Sequence, residues 1–494
     1  MEKKTTMNWL VEPNVCPGLF YGTPAQDGFL IRIRTPGGWV NAAQVHALAH
    51  LLEKWHSTIQ VTNRANLQIR SVQTSPTLAD FQSLQKLGLA AQNPQIDHLR
   101  NIMCSPTAGI DPQELIAPRP LVQELDRLIQ NYPGIAALSP KFSIGIDSGG
   151  TVGIGMRSPR PWEHRYNEIQ LSAIALENQS DLTPGVYYRL SLGGDRQLYD
   201  TNVVVRPENC LPLVAALVEV YLDYIQKNPE TPAKNGKKSR MKHLLKDWGI
   251  AKYIEKVQEK LAHPLPQIVT ELLTKLILPS QPYNYLGIHP QKQAGLSYIG
   301  LGLKLGKLTA EQLWGLGEIA ETFGSSHLQL TPWQTILIPN IPNEKISELL
   351  PKFTSLGLSA SRGWDDGIVA CAGKPGCAAA ATQTQIHALI LADYLKERLG
   401  LTLDDPVNIH ITGCPKSCAQ PSPAEITLLG TTIEQNGEIL EGYQVYVGDE
   451  KDSFKSQIFQ GSFGEIIPML EDFLGQHMRQ DQLHLKTSQN SLII

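Results

Sequence analysis

Residues 29–34 (FLIRIR) alternate apolar and basic side chains, with Phe29, Ile31 and Ile33 on one face and Arg32 and Arg34 on the other. A period of two predicts a half-buried strand. Pro36-Gly37-Gly38 then makes a turn, and over residues 43–55 Val45, Leu48, Ala49 and Leu52 recur at helical spacing. Two short strands are expected over 58–61 and 67–71, separated by Thr62-Asn63-Arg64-Ala65. The unit is strand, helix, strand pair.

The same order returns much later. Residues 301–304 precede Gly306-Lys307, a helical stretch follows over 310–322, and HLQLTPWQTILIPNI starts at His327. Segment 62–69 aligns with 331–338, with low identity but the same order, spacing and turn placement. This points to two related halves from a duplication. Such halves commonly hold a ligand where both contribute loops. Between them, residues 226–238 (QKNPETPAKNGKK) are polar and turn-rich and read as a linker. After it Met241, Leu244, Leu245, Trp248, Ile254, Val257 and Leu261 form an interrupted helical stripe that Pro264 and Pro266 end.

At 494 residues the chain is too long for one small core, and 42% apolar with 18% charged residues is ordinary for a globular protein. No apolar run approaches the roughly 18 residues of a membrane span; the nearest, residues 213–225, is broken by Glu219 and Asp223. The N-terminus has a basic start without an apolar stretch behind it, so a cytoplasmic location is expected, where thiols stay reduced. A formal net charge of −4 argues against a nucleic-acid binder. Residues 227–260 nonetheless hold ten Lys/Arg against four Asp/Glu. That stretch is either a solvated helix face or a docking surface for an acidic electron carrier such as ferredoxin.

Four of the seven cysteines fall between Cys371 and Cys418, spaced C-x5-C-x36-C-x3-C in the contexts ACAGKPGC and TGCPKSCAQP. Thiolates are soft ligands, and four of them can close a tetrahedral shell or hold one corner each of a cubane cluster. Zinc knuckles use shorter, matched spacings, and a disulfide pair is disfavoured in a reducing compartment. The loops are rich in Gly, Ala and Ser, which lets backbone amides approach cluster sulfides. Cys371, Cys377, Cys414 and Cys418 are therefore read as ligands of a [4Fe–4S] cluster. Cys16, Cys104 and Cys210 stand alone and read as ordinary buried thiols.

These cysteine contexts, with TNRANLQ, RNIMCSP, SPKFSIGID and the duplicated halves, resemble the nitrite/sulfite reductase superfamily. The resemblance covers most of the chain from about Cys16 to Gly448 and implies an α+β fold. Its expected parts are two ferredoxin-like half-domains (14–85 and 280–350), a first α/β domain without cluster (92–226), a linker and basic helix (227–265), and a [4Fe–4S]-binding α/β domain (360–480). In the reductases of this family the fourth cysteine bridges the cluster to sirohaem iron. Arg64 matches the first active-site arginine, with Gln68 at the family spacing; Arg100 matches the second, and Lys141 the first lysine of a K-x-K pair. Ser143 stands where the second lysine would be, and Lys416-Ser417 replaces the N-x before the bridging cysteine.

Multi-electron reduction of an anion needs a dense cationic pocket, which a lost lysine thins. The stretch CPGLFYGTPAQDGFLIRIRTPGG also looks like the start of precorrin-3B synthase, the oxygen-dependent branch of the superfamily. That branch implies conversion of precorrin-3A to precorrin-3B by C20 hydroxylation with γ-lactone formation, in cobalamin synthesis. It would use the cluster together with a mononuclear non-haem iron, whose ligands the sequence does not single out. A macrocycle ringed with carboxylates calls for clamping cations, for which Arg32, Arg34, Arg64, Gln68, Arg70, Arg100, Lys141, Gln334 and Lys416 are the candidates. Arg64, Arg100 and Lys141 are placed nearest the chemistry. The alternatives are a ferredoxin-dependent sulfite or nitrite reductase with sirohaem, or a non-catalytic iron–sulfur protein that binds a tetrapyrrole. A monomer with no membrane partner is expected in each case.

Overall fold

The structure, a computed structural model, describes residues 9–12, 16–158, 160–177, 182–194, 196–228, 238–268, 283–399, 406–422, 424–448 and 456–490. Two compact units divide the chain, Met1–Ala360 and Ser361–Ile494.

Among the described residues, the first unit holds three five-stranded sheets. In one, Gly28–Ile33 pairs antiparallel with Leu67–Val72, which pairs with Ile59–Val61. In another, Leu296–Leu301 pairs with Ile336–Pro342, which pairs with His327–Leu330. The helices between, Ala42–Trp55 and Ala310–Phe323, start with matching caps. Asn41 and Thr309 each accept from the amide three residues on, and Gln44 and Gln312 each reach back to the cap amide. Each glutamine then donates to the carbonyl ending the next helix, Leu87 at 2.7 Å and Leu356 at 3.0 Å. The predicted duplication is thus a duplication of hydrogen bonds as well as of elements.

The halves also exchange a strand, which no periodicity announced. Trp39–Asn41, from the first half, pairs with His327–Leu330 of the second. Lys307–Leu308, from the second, pairs with Ile59–Val61 of the first. The exchange is pinned by two equivalent glutamines: Gln60 donates to the Leu305 carbonyl at 2.7 Å and Gln329 to the Gly37 carbonyl at 2.8 Å. Gly38 is required at this crossing, since its φ is +81° and a Cβ would stand 2.7 Å from the Leu330 carbonyl oxygen. One continuous apolar core, from Ile31 through Leu52 to Leu316 and Ile338, spans both halves.

The third sheet runs 197–205, 185–194, 169–176, 144–147, 102–104, with its last three strands parallel to one another. Helices Arg119–Asn131, Cys210–Lys227 and Met241–Gln258 pack on it. Of the stretch expected to be a linker and basic helix, residues 229–237 lie outside the described residues. The helix itself joins this core: Leu244, Tyr253 and Val257 are fully buried, and Tyr253 donates to the Leu217 carbonyl at 2.7 Å. Each such side chain contributes about 1.5–3 kcal/mol by leaving water.

The second unit repeats the third sheet. Its order is 368–370, 409–412, 426–435, 438–447, 457–462, with the first three strands parallel and the rest antiparallel. Helix Thr384–Leu399 packs on the parallel end.

Candidate active site

In the second unit, strands Ile368–Ala370 and Ile409–Thr412 run side by side with Ala370 opposite Ile411, and each ends in a cysteine loop. The Cys371 amide continues the ladder to the Ile411 carbonyl at 3.1 Å, and the Gly413 amide donates to Cys371 Sγ at 3.2 Å. The loops are tied again where the Ala381 amide donates to the Gly413 carbonyl at 2.8 Å. Parallel pairing is therefore what brings cysteines 43 residues apart in sequence, Cys371 and Cys414, to one end of the sheet. The small residues have a steric reason. A Cβ on Gly373 would lie 2.4 Å from Thr384 Oγ1, and one on Gly413 would lie 2.6 Å from the Ala380 Cβ.

Cys371, Cys377 and Cys414 are half-buried and Cys418 is the most open. Partial burial raises the Cys418 thiol above its ordinary range, and Cys414, Cys371 and Cys377 push it further up while Lys416 opposes them. One thiol that feels three other sulfurs is a set that cannot ionise together without a bound cation. A donor for thiolate sulfur is already in place. The Gly413 amide is the donor, while helix Thr384–Leu399 begins beside Cys371, its Thr384 hydroxyl donating to the Cys371 carbonyl at 2.8 Å and only touching Sγ at 3.6 Å. A helix N-terminus favours negative charge. Among the described residues no three His, Cys, Asp or Glu side chains converge closely enough to hold a single metal ion. A cubane, by contrast, takes one thiolate at each corner. The residues fit a [4Fe–4S] cluster.

The first unit's α/β sheet has the same corner without the cysteines. Strands Ile102–Cys104 and Ile144–Asp147 pair in the equivalent register. There the Ser105 amide bonds the Ile146 carbonyl at 3.1 Å, and the Ser148 amide donates to Ser105 Oγ at 2.9 Å. Ser105 thus stands where Cys371 does, and Gly149 where Cys414 does. The loops beyond are occupied by their own carboxylates: buried Asp147 pairs with Arg157 at 3.1 Å, and buried Asp111 accepts from Thr107, Thr151 and the Val152 amide.

The basic candidates separate into three kinds. Arg64 lies in the turn before Leu67–Val72, half-buried, with one nitrogen donating to Asn167 Oδ1 at 2.8 Å. Enclosure by protein, and then Arg165, pull its guanidinium down to about 10. Arg34 is 3% exposed, with no hydrogen-bond partner for its Nε among the described residues. It lowers His98, which burial above all holds near a pKa of about 3 and so neutral. His98 and Tyr21 line a cleft of about 780 Å³ with Trp9, Gln95 and Lys238.

Arg100 does not match the expectation of a substrate-facing cation. Its guanidinium is bidentate to Asp126, at 2.8 and 3.0 Å, and also donates to the Gly88 carbonyl at 3.0 Å. Arg70 likewise faces Asp27 at 3.4 Å. Arg32 donates to Gln68 at 3.0 Å and Gln68 to Gln60 at 2.6 Å, a chain laid across three strands. Gln334 sits in the second copy of the Arg64 turn, at φ +63°, where Ala65 has +51° in the first. Lys141 and Lys416 are exposed. Ser143 is buried, and its hydroxyl accepts from the Glu168 amide at 3.3 Å.

A residue that sequence reasoning passed over is Glu168. It is buried, faces Arg240 at 3.4 Å and accepts from the Met241 amide, and burial raises its carboxyl to about 7. Nothing in its neighbourhood of sequence marks it, because its partners lie about seventy residues away.

Two parallel strand ends leading into loops with four cysteines, on a duplicated α+β scaffold, are the arrangement an iron–sulfur protein calls for. The profile of the nitrite/sulfite reductase ferredoxin-like half domain matches residues 22–80 and 289–355. That of the nitrite and sulphite reductase 4Fe-4S domain matches residues 187–265, in the α/β copy that lacks the cysteines. Ferredoxin–nitrite reductase of Synechococcus elongatus is 30% identical over 471 residues, 90% of this chain and 83% of its own length. The chloroplastic ferredoxin–nitrite reductase of Zea mays is 29% identical, over 92% and 80% respectively. Sulfite reductase [ferredoxin] 2 of Mycolicibacterium paratuberculosis is 27% identical, over 85% and 73%. The chain belongs to the nitrite/sulfite reductase family. The fold of the Mycobacterium tuberculosis NirA protein agrees, with a TM-score of 0.73 at 23% identity over 91% of this chain and 81% of that one.

These relatives overturn the expectation of a precorrin-3B synthase: the likeness to ferredoxin-dependent reductases runs over nine-tenths of the chain. That expectation rested on one N-terminal stretch and on two changed positions, Ser143 and Lys416. Ser143, taken as a missing lysine, has a packing role of its own, capping the Glu168 amide. The mononuclear iron was part of the same expectation and goes with it.

Proposed function

We propose that the protein is a ferredoxin-dependent reductase of nitrite, carrying a [4Fe–4S] cluster on Cys371, Cys377, Cys414 and Cys418 together with sirohaem. The observation that carries this reading is the intact four-cysteine corner, in a chain whose relatives across nine-tenths of its length are ferredoxin–nitrite reductases. Cluster and sirohaem supply electrons one at a time and a binding position for the anion.

The chain's own residues supply charge, hydrogen bonds and shape. Arg64 keeps one nitrogen on Asn167, and that bond orients the rest of the guanidinium toward an anion. Arg34, buried with no partner for its Nε among the described residues, suits a carboxylate of a macrocycle. Lys141 and Lys416 are exposed cations whose charge favours acidic groups. Arg100, held by Asp126, shapes the fold beneath instead.

Sulfite is the second candidate, favoured by the 27% identity to a ferredoxin sulfite reductase. The purified protein should contain extractable sirohaem and turn over nitrite with reduced ferredoxin, and sulfite at least tenfold more slowly. Preferred turnover of sulfite would exchange the two candidates; absence of sirohaem with no turnover of either anion would sink the reading.

A further inference from the structure

The C-x5-C loop is held from outside by a residue of no cysteine motif. Glu441 lies on strand Glu438–Val447, at the place where it pairs with Thr432. One carboxylate oxygen accepts from the Gln383 amide at 2.7 Å, just ahead of the helix whose first residue, Thr384, contacts Cys371. The other faces Lys374 Nζ at 3.4 Å, and Lys374 is midway between Cys371 and Cys377. Lys374 is itself joined to the same segment, its amide donating to the Thr382 carbonyl at 2.9 Å.

The carboxylate is buttressed in turn. Tyr443, two residues on and so on the same face of the strand, meets His387 Nδ1 at 2.8 Å. The His387 ring is stacked on Phe463 at 3.9 Å between centroids, with Nε2 3.9 Å from Glu441. Burial holds His387 below its ordinary pKa, with Glu441 opposing, so the imidazole supports the carboxylate by position more than by charge.

We infer that Glu441 is a positioning residue for the cluster. Through Gln383 and Lys374 it fixes the loop that carries two ligands, and its charge, offset by Lys374, helps set the reduction potential. The inference rests on the four-cysteine cluster within the proposed function, not on which anion is reduced. Its physical basis is general. Residues that orient ligands tune a metal site from outside, and a fixed negative charge opposes the arrival of an electron.

The test uses the full chain with its cluster, purified anaerobically, with iron and sulfide assayed and the cluster potential titrated by EPR. Glu441→Gln keeps an acceptor for the Gln383 amide and removes the charge. It should retain iron and sulfide and shift the midpoint upward. Lys374→Met removes the opposing charge and should shift it downward by a smaller amount. Glu441→Ala, which also removes the acceptor, should lose cluster on exposure to air severalfold faster than the unsubstituted protein. Unchanged potentials in both charge variants, or shifts of the same sign, would overturn the inference. The titration needs neither nitrite nor sulfite. Failure of the unsubstituted protein to reduce either would therefore count against the proposed function alone.

Discussion

The chain builds one scaffold twice, and the two copies spend their equivalent positions differently. At the corner of the second unit's sheet, Cys371 accepts from the Gly413 amide; at the corner of the first, Ser105 accepts from the Ser148 amide. In the ferredoxin-like halves, the turn that carries Arg64 in the first carries Trp333 in the second. The turn itself is the same: Thr62 and Thr331 amides bond the Asn66 and Thr335 carbonyls at 2.8 and 3.0 Å. Arg64 keeps a guanidinium in a half-open place. Trp333 is 7% exposed, stacked on Tyr285 at 5.0 Å and bonded to the Glu163 carbonyl at 3.3 Å. Backbone geometry is therefore not what confers chemistry. One copy of each pair keeps its reactive groups partly open, and the other has committed the same positions to packing and internal ion pairs.

The sharpest way to break this comparison is to exchange its ends. Cys371→Ser copies the first unit's corner into the second, and it should abolish the cluster and reduce nitrite turnover by at least about a hundredfold. Iron and sulfide analysis and the visible spectrum read the loss. The reverse change, Ser105→Cys with Gly149→Cys, should create no second cluster, because two thiols leave a cubane two ligands short and Asp147 and Asp111 already fill the loops that would supply the others. Extra iron bound by that double variant would show the corner, not its surroundings, to be decisive.

The turn can be tested in the same spirit. Arg64→Ala should weaken nitrite binding by roughly ten- to a hundredfold, the worth of about 1.5–3 kcal/mol for a charged hydrogen bond, with little change in melting temperature. Trp333→Ala should do the opposite, costing about 3–5 kcal/mol of stability while nitrite affinity in the folded fraction stays put. Paired denaturation and binding titrations separate the two, and a common pattern in both variants would erase the distinction.

A smaller effect should come from Glu163, buried beside Trp333, whose carboxyl burial raises to about 7. The folded state then binds a proton that the unfolded chain has released, so this group's contribution to stability declines from about pH 4.5 to about pH 7 and is level above. Glu163→Gln should remove that slope. Stability measured from pH 5 to 8 should show the variant gaining on the unsubstituted protein up to about pH 7. Parallel curves would mean that Glu163 is ionised throughout.

The legible features were those with local chemical grammar. Four thiols in two loops of small residues pointed to a [4Fe–4S] protein, and the family of the chain agrees; the helix caps at Asn41 and Thr309, each with a glutamine three residues on, were equally local and were passed over. The repeat was legible because turn and strand spacing survive when identity does not. What stayed hidden depends on distant partners. Trp39–Asn41 is too short to show a periodicity, and its pairing is with a strand nearly three hundred residues away. Arg100 matches a reductase motif, yet Asp126 takes its guanidinium. Ser143 weighed too heavily in choosing a branch of the family, since a position can lose a charge to serve packing without the reaction changing.

The exchanged strands have a consequence for how the protein comes into being. Trp39–Asn41 leaves the ribosome long before His327–Leu330, and at about 5–20 residues per second the wait is on the order of tens of seconds. During that time the second half's sheet has no site for it to join, and Ile59–Val61 presents an open edge until Lys307–Leu308 arrives. Unpaired edges of this kind invite other strands. The first half is thus born incomplete, and its safe passage depends on the far end of the chain arriving before a neighbour does.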